Sequence, residues 1–251
     1  MEDFRRLVEQ AKLESKEYSI WQVASEMTEN RTSLPMRVGQ GAWSGVLLED
    51  DVRIHFGDYA TPSTALLLVA PGAAALHDGR ITLVGPDIPR LTEGVVPFAL
   101  VIVAWGADLT PDRVKELRRG LQVTDQIEGF AQCSILREIR FTLSKALFNK
   151  GVSFRHLGHA FIHLFKEQFA RFLQAVEVVF LTTSPTTINA LKKITQTIRS
   201  DMAATLRAKV AQKVKSREDC EFEWECTDCE YQRICEELRD IIRLRKDLTA
   251  N

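Results

Sequence analysis

Four of the chain's five cysteines lie within sixteen residues, between positions 220 and 235. They are spaced C-x5-C-x2-C-x5-C, as Cys220, Cys226, Cys229 and Cys235. Four thiolates can saturate a tetrahedral zinc ion or hold the four corners of a 4Fe-4S iron–sulfur cluster. Zinc sites favour two close cysteine pairs joined by a longer loop, and only Cys226 and Cys229 form a close pair here. The spacing therefore favours a 4Fe-4S cluster, with zinc as the alternative.

Composition narrows the class of protein that could carry such a site. The chain has 251 residues, of which 45% are hydrophobic and 27% charged, and this balance supports a buried core. Its net charge of −1 gives no overall attraction to nucleic acid or anionic lipid, so we expect neither as a partner. The apolar runs are too short to span a bilayer, and the charged start lacks the apolar core of a signal peptide. We expect a cytoplasmic protein, in which reducing conditions favour metal-bound thiolates over disulfides.

Hydrophobic periodicity predicts the elements that would support the cysteines. Residues 2–17 have helical spacing, and the segments "VRIHF", "STALLLVA" and "GRITLVG" predict short strands. The continuous apolar run 95–107 predicts a strand buried on both faces. A helix should follow it, with Thr110 as its cap and Pro111 at its first position.

The second half of the chain continues this alternation. "CSILREIRFTLS" predicts one strand, "RHLGHAFIHLFKEQFARFL" a helix and "AVEVVFLTTS" another buried strand. A long helix should then run from about 184 to about 214. His156, His159 and His163 share one face of the helix predicted from "RHLGHAFIHLFKEQFARFL". Because no carboxylate lies between them on that face, we expect partly exposed helix histidines rather than a metal site.

The element order predicts an α/β fold, with α+β as the alternative. We expect a mixed, partly parallel sheet flanked by helices, with a small cysteine-rich metal-binding appendage. The predicted segments are an N-terminal helix and β-rich segment (1–94), a main α/β domain (95–216) and the cluster-binding segment with a terminal helix (217–251). The appendage has nine acidic residues between 218 and 237. Carboxylates close to an anionic cluster would make that cluster harder to reduce.

Several segments, in collinear order, resemble one known family. "DGRITLVGPDI" (78–88), "LVIVAWGADLTPD" (100–112), "IEGF" (127–130), "LREIR" (136–140) and the long stretch 151–183 are similar to the middle domain of acetyl-CoA synthase. Acetyl-CoA synthase is the β subunit of the carbon monoxide dehydrogenase/acetyl-CoA synthase complex. The resemblance covers roughly residues 46–235. It implies a place in anaerobic one-carbon metabolism, near carbon monoxide and corrinoid chemistry.

The resemblance also assigns the cysteines. In the family a C-x2-C pair follows the middle domain, and further cysteines complete an iron–sulfur cube bridged to a nickel centre. Cys226 and Cys229 correspond to that pair and Cys235 to a third ligand. The family's fourth ligand lies further downstream, and we infer, beyond what the resemblance gives, that Cys220 replaces it here. The family's nickel-binding Cys-Gly-Cys does not occur in these 251 residues. We therefore leave enzymatic activity undecided, although the family is an acyltransferase family.

An aromatic residue and arginines of the family's middle domain contribute to coenzyme A binding. The corresponding strand here places Arg140 and Phe141 where a tryptophan is expected, and Arg155 lies further along. These three residues are candidate contacts for coenzyme A or another anion. The function that the resemblance implies is an electron-transfer or docking module, partnered by a carbon monoxide dehydrogenase or corrinoid protein or by a ferredoxin. The alternatives are a partial acetyl-CoA synthase subunit active with a partner chain, and a zinc-stapled structural or interaction module.

Overall fold

The computed structural model describes residues 1–23, 52–57, 61–70, 72–91, 94–121, 127–135 and 138–194. The four clustered cysteines and the predicted elements after residue 194 lie outside this part of the chain. In order, the elements are α1 (Glu2–Ser15), β1 (Tyr18–Gln22), β2 (Val52–Phe56), β3 (Ser63–Val69), β4 (Arg80–Val84), β5 (Gly94–Val96), β6 (Phe98–Trp105), α2 (Pro111–Arg119), β7 (Phe130–Ile135), β8 (Glu138–Ser144), α3 (Lys145–Asn149), α4 (Phe154–Gln168) and β9 (Ala175–Leu181). Two short 3-10 turns, Ala73–Ala75 and Ile88–Arg90, flank β4, and residues 185–194 are helical.

Five strands form a mixed sheet in the order β1-β4-β9-β6-β3. The pairs β4–β9 and β3–β6 are parallel, whereas β1–β4 and β6–β9 are antiparallel. All seven residues of β9 and all but the last of the eight residues of β6 are buried, as expected for strands covered on both faces. Helices α1, α2 and α4 contact strands of this sheet, whereas α3 contacts β2 and β8.

The second sheet has four strands in the order β5-β2-β8-β7. Strand β2 pairs with β5 in parallel and with β8 in an antiparallel ladder, and β7 and β8 are antiparallel neighbours. The single strand predicted for "CSILREIRFTLS" is therefore wrong. The segment contains the end of β7 and all of β8, because the chain reverses between Ile135 and Glu138 and the two halves pair with each other.

Aromatic side chains from both sheets and from α4 pack into one core. Phe98 is central to it, with its ring centroid 4.8 Å from that of Phe56, 4.9 Å from Phe141 and 5.7 Å from Phe154. A second buried cluster joins Phe4, Val8 and Ala11 of α1 to the other face of the five-stranded sheet. Burying side chains of this size contributes about 1.5–3 kcal/mol each.

The predicted fold class is confirmed, since the described residues form mixed sheets flanked by helices. The predicted cap of α2 is confirmed as well, because Thr110 accepts a hydrogen bond from the backbone N–H of Arg113 and Pro111 is the first helical residue. Residues Met1–Lys193 form one compact unit. The segment boundaries after residues 94 and 216 stay predictions.

Candidate functional site

The segment "DGRITLVGPDI" attaches both ends of α4 to β4. At one end, Asp78 accepts a hydrogen bond from Lys166 Nζ at 2.6 Å and another from the backbone N–H of Val176 at 3.0 Å. At the other end, Oδ1 of Asp87 accepts from the backbone N–H of Phe154 at 2.8 Å, and Phe154 is the first residue of α4. Two aspartates nine residues apart thus fix both the position and the direction of one helix.

Glycine is required at two places around this attachment. A Cβ at Gly158 of α4 would lie 2.6 Å from Cγ2 of Ile81 on β4, so the absent side chain lets the helix approach the strand closely. Gly85 has φ +110°, and a Cβ there would lie 2.5 Å from Oγ1 of Thr182. That hydroxyl donates to the carbonyl of Pro86 at 2.8 Å and joins β9 to the same turn. The family-like segment therefore acts as the organising joint between β4, β9 and α4.

A carboxylate with no exposed surface lies beside this joint. Glu177 on β9 is fully buried and accepts hydrogen bonds from two arginines. Arg5 of α1 reaches its two oxygens at 2.8 and 2.6 Å, and Arg80 of β4 donates twice to Oε1, at 2.9 and 2.7 Å. The Arg5 guanidinium also donates to the carbonyl oxygen of Ala75 at 2.9 Å. Three separate elements are tied together by one acidic side chain.

The electrostatics of Glu177 identify it as a structural anion. Burial on its own raises the pKa of Glu177, but the hydrogen bonds and charges of Arg5 and Arg80 outweigh it and hold the pKa below its ordinary value. The bond to Glu177 in turn raises the pKa of Arg5. An acid that stays ionised and has four charged donors cannot serve as a proton donor near neutral pH. Sequence reasoning missed this group, although an acid inside a continuous apolar strand was a usable signal.

Among the described residues, the three histidines of α4 have separate contacts. Within the described residues, no group of three or more His, Cys, Asp or Glu side chains could hold a metal ion. His156 Nδ1 accepts from the backbone N–H of Ser153 at 3.1 Å, and His163 Nε2 lies 3.5 Å from Glu167. Burial, followed by the charges of His163 and Arg155, lowers the pKa of His159. The expectation of partly exposed helix histidines is confirmed, because all three side chains are half-buried.

The candidate anion contacts Arg140, Phe141 and Arg155 do not share one surface. Phe141 has no exposed area, and its ring packs against Phe130 at 5.9 Å and against Phe98. Arg140 is its neighbour on β8 and lies on the opposite face of that strand, partly exposed. Arg155 is exposed in the first turn of α4. Phe141 therefore supports β8 from the core side, and only the two arginines offer surface to a ligand.

The donor set at 220–235 lies outside the described residues, so its chemistry is judged from its composition. Four thiols match the ligand number of a 4Fe-4S cluster and of a structural zinc ion alike. The residues present therefore fit either group. Within the described residues, no helix is both long and apolar enough to cross a membrane.

The described residues form a mixed α/β domain of two sheets. The segment 78–88, which contains β4, joins β4 to β9 and α4. The chain matches the family model described as the CO dehydrogenase/acetyl-CoA synthase complex beta subunit over residues 34–187. Because this match covers more than half of the 251 residues, the chain belongs to that family. The match includes the segment 78–88 and α4, and it ends before the four clustered cysteines at 220–235.

Individual relatives are similar at modest identity. The acetyl-CoA decarbonylase/synthase complex subunit beta of Methanopyrus kandleri is 32% identical over 109 residues, which are 43% of this chain and 23% of the relative. The protein of the same name from Archaeoglobus fulgidus is 24% identical over 183 residues, 72% of this chain and 33% of the relative. The carbon monoxide dehydrogenase/acetyl-CoA synthase subunit alpha of Moorella thermoacetica is 24% identical over 161 residues, 62% of this chain and 22% of the relative. The matched part of the chain thus spans between a fifth and a third of these relatives.

Proposed function

We propose that this chain is an iron–sulfur accessory module of a carbon monoxide dehydrogenase/acetyl-CoA synthase type of complex. The observation that carries the proposal is the quartet of cysteines that follows a domain of this family. Cys226 and Cys229 would be the inner ligands of a 4Fe-4S cluster, with Cys235 and Cys220 as the outer ones. When bound, such a cluster accepts and donates single electrons. The chain's own part is to supply four thiolates and to present them to a partner.

The role of the module would be electron transfer or docking within anaerobic one-carbon metabolism. The partners would be a carbon monoxide dehydrogenase or corrinoid protein, or a ferredoxin. A cytoplasmic location fits thiols that must stay reduced in order to bind metal. These 251 residues contain no Cys-Gly-Cys, so the part proposed for them is to supply the thiolates of the iron–sulfur cluster. With a second chain that supplied nickel ligands, the module would be part of an acetyl-CoA synthase.

Metal analysis of the intact chain, purified without oxygen, tests the ligand set directly. We expect brown protein with thiolate-to-iron charge-transfer absorbance and about four irons and four sulfides per chain. Colourless protein with one tightly bound zinc would contradict the cluster and support a zinc-stapled interaction module instead. Protein that binds neither metal after reconstitution with iron and sulfide would refute both readings.

Single cysteine variants assign the ligands within the quartet. Cys226→Ala should abolish the cluster, because the inner pair is shared by every arrangement that we consider. Cys133→Ala is the matched control, since Cys133 lies on β7 and outside the quartet, and it should keep the full iron content. Cys220→Ala should also abolish the cluster. A full cube in that variant would mean that the fourth ligand is another group.

Coenzyme A binding by Arg140 and Arg155 is a separate part of the proposal. Both side chains offer surface, and a guanidinium suits phosphate recognition because it donates in a fixed fork. Titration calorimetry with coenzyme A should show weaker binding for Arg155→Met and for Arg140→Met than for the unmodified chain. Arg171→Met is the control, because Arg171 is an exposed arginine just beyond α4. Equal affinity in all four proteins would remove coenzyme A from the proposal.

A further inference from the structure

The first turn of α4 is closed by a histidine in an unusual role. Ser153 is the N-cap of the helix and His156 is its third residue. The backbone N–H of Ser153 donates to Nδ1 of His156 at 3.1 Å, and the Ser153 hydroxyl oxygen lies 3.0 Å from the same nitrogen. In a capping box, glutamate or glutamine commonly provides this acceptor at the third position. Here the acceptor is an imidazole nitrogen, which is available only while it is unprotonated.

Protonation of Nδ1 would break the hydrogen bond from the Ser153 backbone N–H, and the protonated nitrogen could donate only to the Ser153 hydroxyl oxygen within this turn. A proton on Nδ1 would point a donor at the Ser153 N–H, which is itself a donor. It would also place a positive charge at the N-terminal end of a helix, where the helix dipole already disfavours cations. Glutamine at the same position would keep an oxygen acceptor throughout the physiological pH range. A histidine at this position therefore makes the hydrogen bond of the cap depend on pH in a range where glutamate or glutamine would remain an acceptor.

The charged groups around His156 have opposing effects. Burial lowers the pKa of His156, the charge of Arg155 lowers it further, and Asp87 opposes both. His159 is the next titratable group on the same helix face, and the charge of His156 contributes to lowering the pKa of His159. Asp87 is the only one of these groups from another element, the turn after β4, and it already accepts the backbone N–H of Phe154.

We propose that the first turn of α4 is a proton-sensitive latch, closed by the unprotonated Nδ1 of His156 and opened by acidification. Opening would release the amide groups of residues 153–157 and change the position of Arg155, while Asp78 would still hold the far end of α4 through Lys166. The released imidazole takes up its proton with an ordinary pKa near 6.5. The latch is therefore fully stable above about pH 6.5 and weakens as the pH falls through the lower pKa of the closed form.

Amide hydrogen exchange on the intact chain, at about pH 7.5 and about pH 5.5, measures the latch directly. After correction for the intrinsic pH dependence of exchange, the opening of residues 153–157 should increase at least threefold at the lower pH. The upper limit is about tenfold, set by proton uptake one pH unit below an ordinary histidine pKa. His156→Gln should keep the turn closed and remove the pH effect. His163→Gln, the same change on the same helix away from the cap, should leave the effect intact.

A smaller increase in the unmodified chain, or the same increase in His156→Gln, would overturn the proposal. Direct titration of the His156 ring by nuclear magnetic resonance is an independent check that requires no variant. The ring should titrate below the ordinary histidine value and favour the tautomer protonated on Nε2. Titration at or above the ordinary value, or a proton on Nδ1 at neutral pH, would also exclude the latch.

Discussion

Replacing Arg5 with methionine tests whether α1 is held in place by the buried carboxylate. Methionine keeps a long unbranched side chain and has a helix propensity close to that of arginine, so the main change is the loss of charge. The variant would remove the two bonds to Glu177, at 2.8 and 2.6 Å, and the bond to the carbonyl of Ala75. Of the two arginines described at Glu177, Arg80 would remain. The prediction is a large loss of stability from one residue of a terminal helix.

The magnitude follows from the geometry. A hydrogen bond that involves a charged group contributes about 1.5–3 kcal/mol, so the three lost bonds set an upper limit of about 9 kcal/mol. The actual loss should be smaller, because Arg80 keeps its two bonds and the Arg5 side chain is 27% exposed, so water can partly replace it. We expect about 2–3 kcal/mol, just under the range measured when one partner of a buried pair is removed. The corresponding fall in Tm is about 4–12 °C for a chain of this size.

Urea unfolding of the intact chain, compared with Arg6→Met, provides the assay. Arg6 is the next residue of α1 and, among the described residues, forms an ion pair with Asp3 at the surface, with side chains 78% and 77% exposed. That variant should lose less than about 0.5 kcal/mol. Because the pKa of Glu177 is lowered, the Arg5 contribution should be complete above about pH 4.3 and shrink as the pH falls through the lower folded value. Equal unfolding free energies for the two variants at pH 7 would refute the reasoning.

Two further stability predictions concern the joint around β4, both measured by urea unfolding. Asp87→Ala removes the acceptor of two backbone N–H groups and should cost about 1–2 kcal/mol, as the loss of a helix cap does. Its control, Asp112→Ala on the exposed first turn of α2, should cost less than about 1 kcal/mol. Gly158→Ala should cost about 1–3 kcal/mol, because its Cβ would collide with Ile81, whereas Gly72→Ala meets nothing within 4 Å and should change stability by less than about 0.5 kcal/mol. Unchanged stability in Gly158→Ala, or equal losses in the two aspartate variants, would mean that the joint tolerates more than its geometry suggests.

Local signals in the sequence were sufficient to predict single elements. The apolar run at β6 predicted burial on both faces because nothing polar interrupts it, and every residue from Phe98 to Ala104 is buried. Thr110 and Pro111 predicted the start of α2 because capping depends only on neighbouring residues. Local signals did not predict the hairpin of β7 and β8. Its two strands continue one alternating pattern, and the reversal of the chain between them depends on the pairing of β7 with β8.

Contacts between distant parts of the chain were beyond these signals. Strand β6 pairs in parallel with β3, and β9 pairs in parallel with β4. Both partners precede residue 95, before the alternating strands and helices whose order predicted a partly parallel sheet. Glu177 is 172 residues away from Arg5 and 97 away from Arg80, so no local pattern could reveal the pairing. Arg140 and Phe141 were both predicted as coenzyme A contacts because they are neighbours in a strand that resembles the family's. Adjacent residues of a strand point to opposite faces, so the two side chains cannot line the same surface.

The central place of β9 has a consequence for synthesis of the chain. In the five-stranded sheet, β9 separates the pair β1–β4 from the pair β6–β3, and it is the last of these strands to be made. A nascent chain that ends before Ala175 therefore holds two separate ribbons, with the edges of β4 and β6 open. Open apolar strand edges attract other chains, and chains are made from the N-terminus onward. Until β9 emerges from the ribosome, the open edges of β4 and β6 therefore favour aggregation.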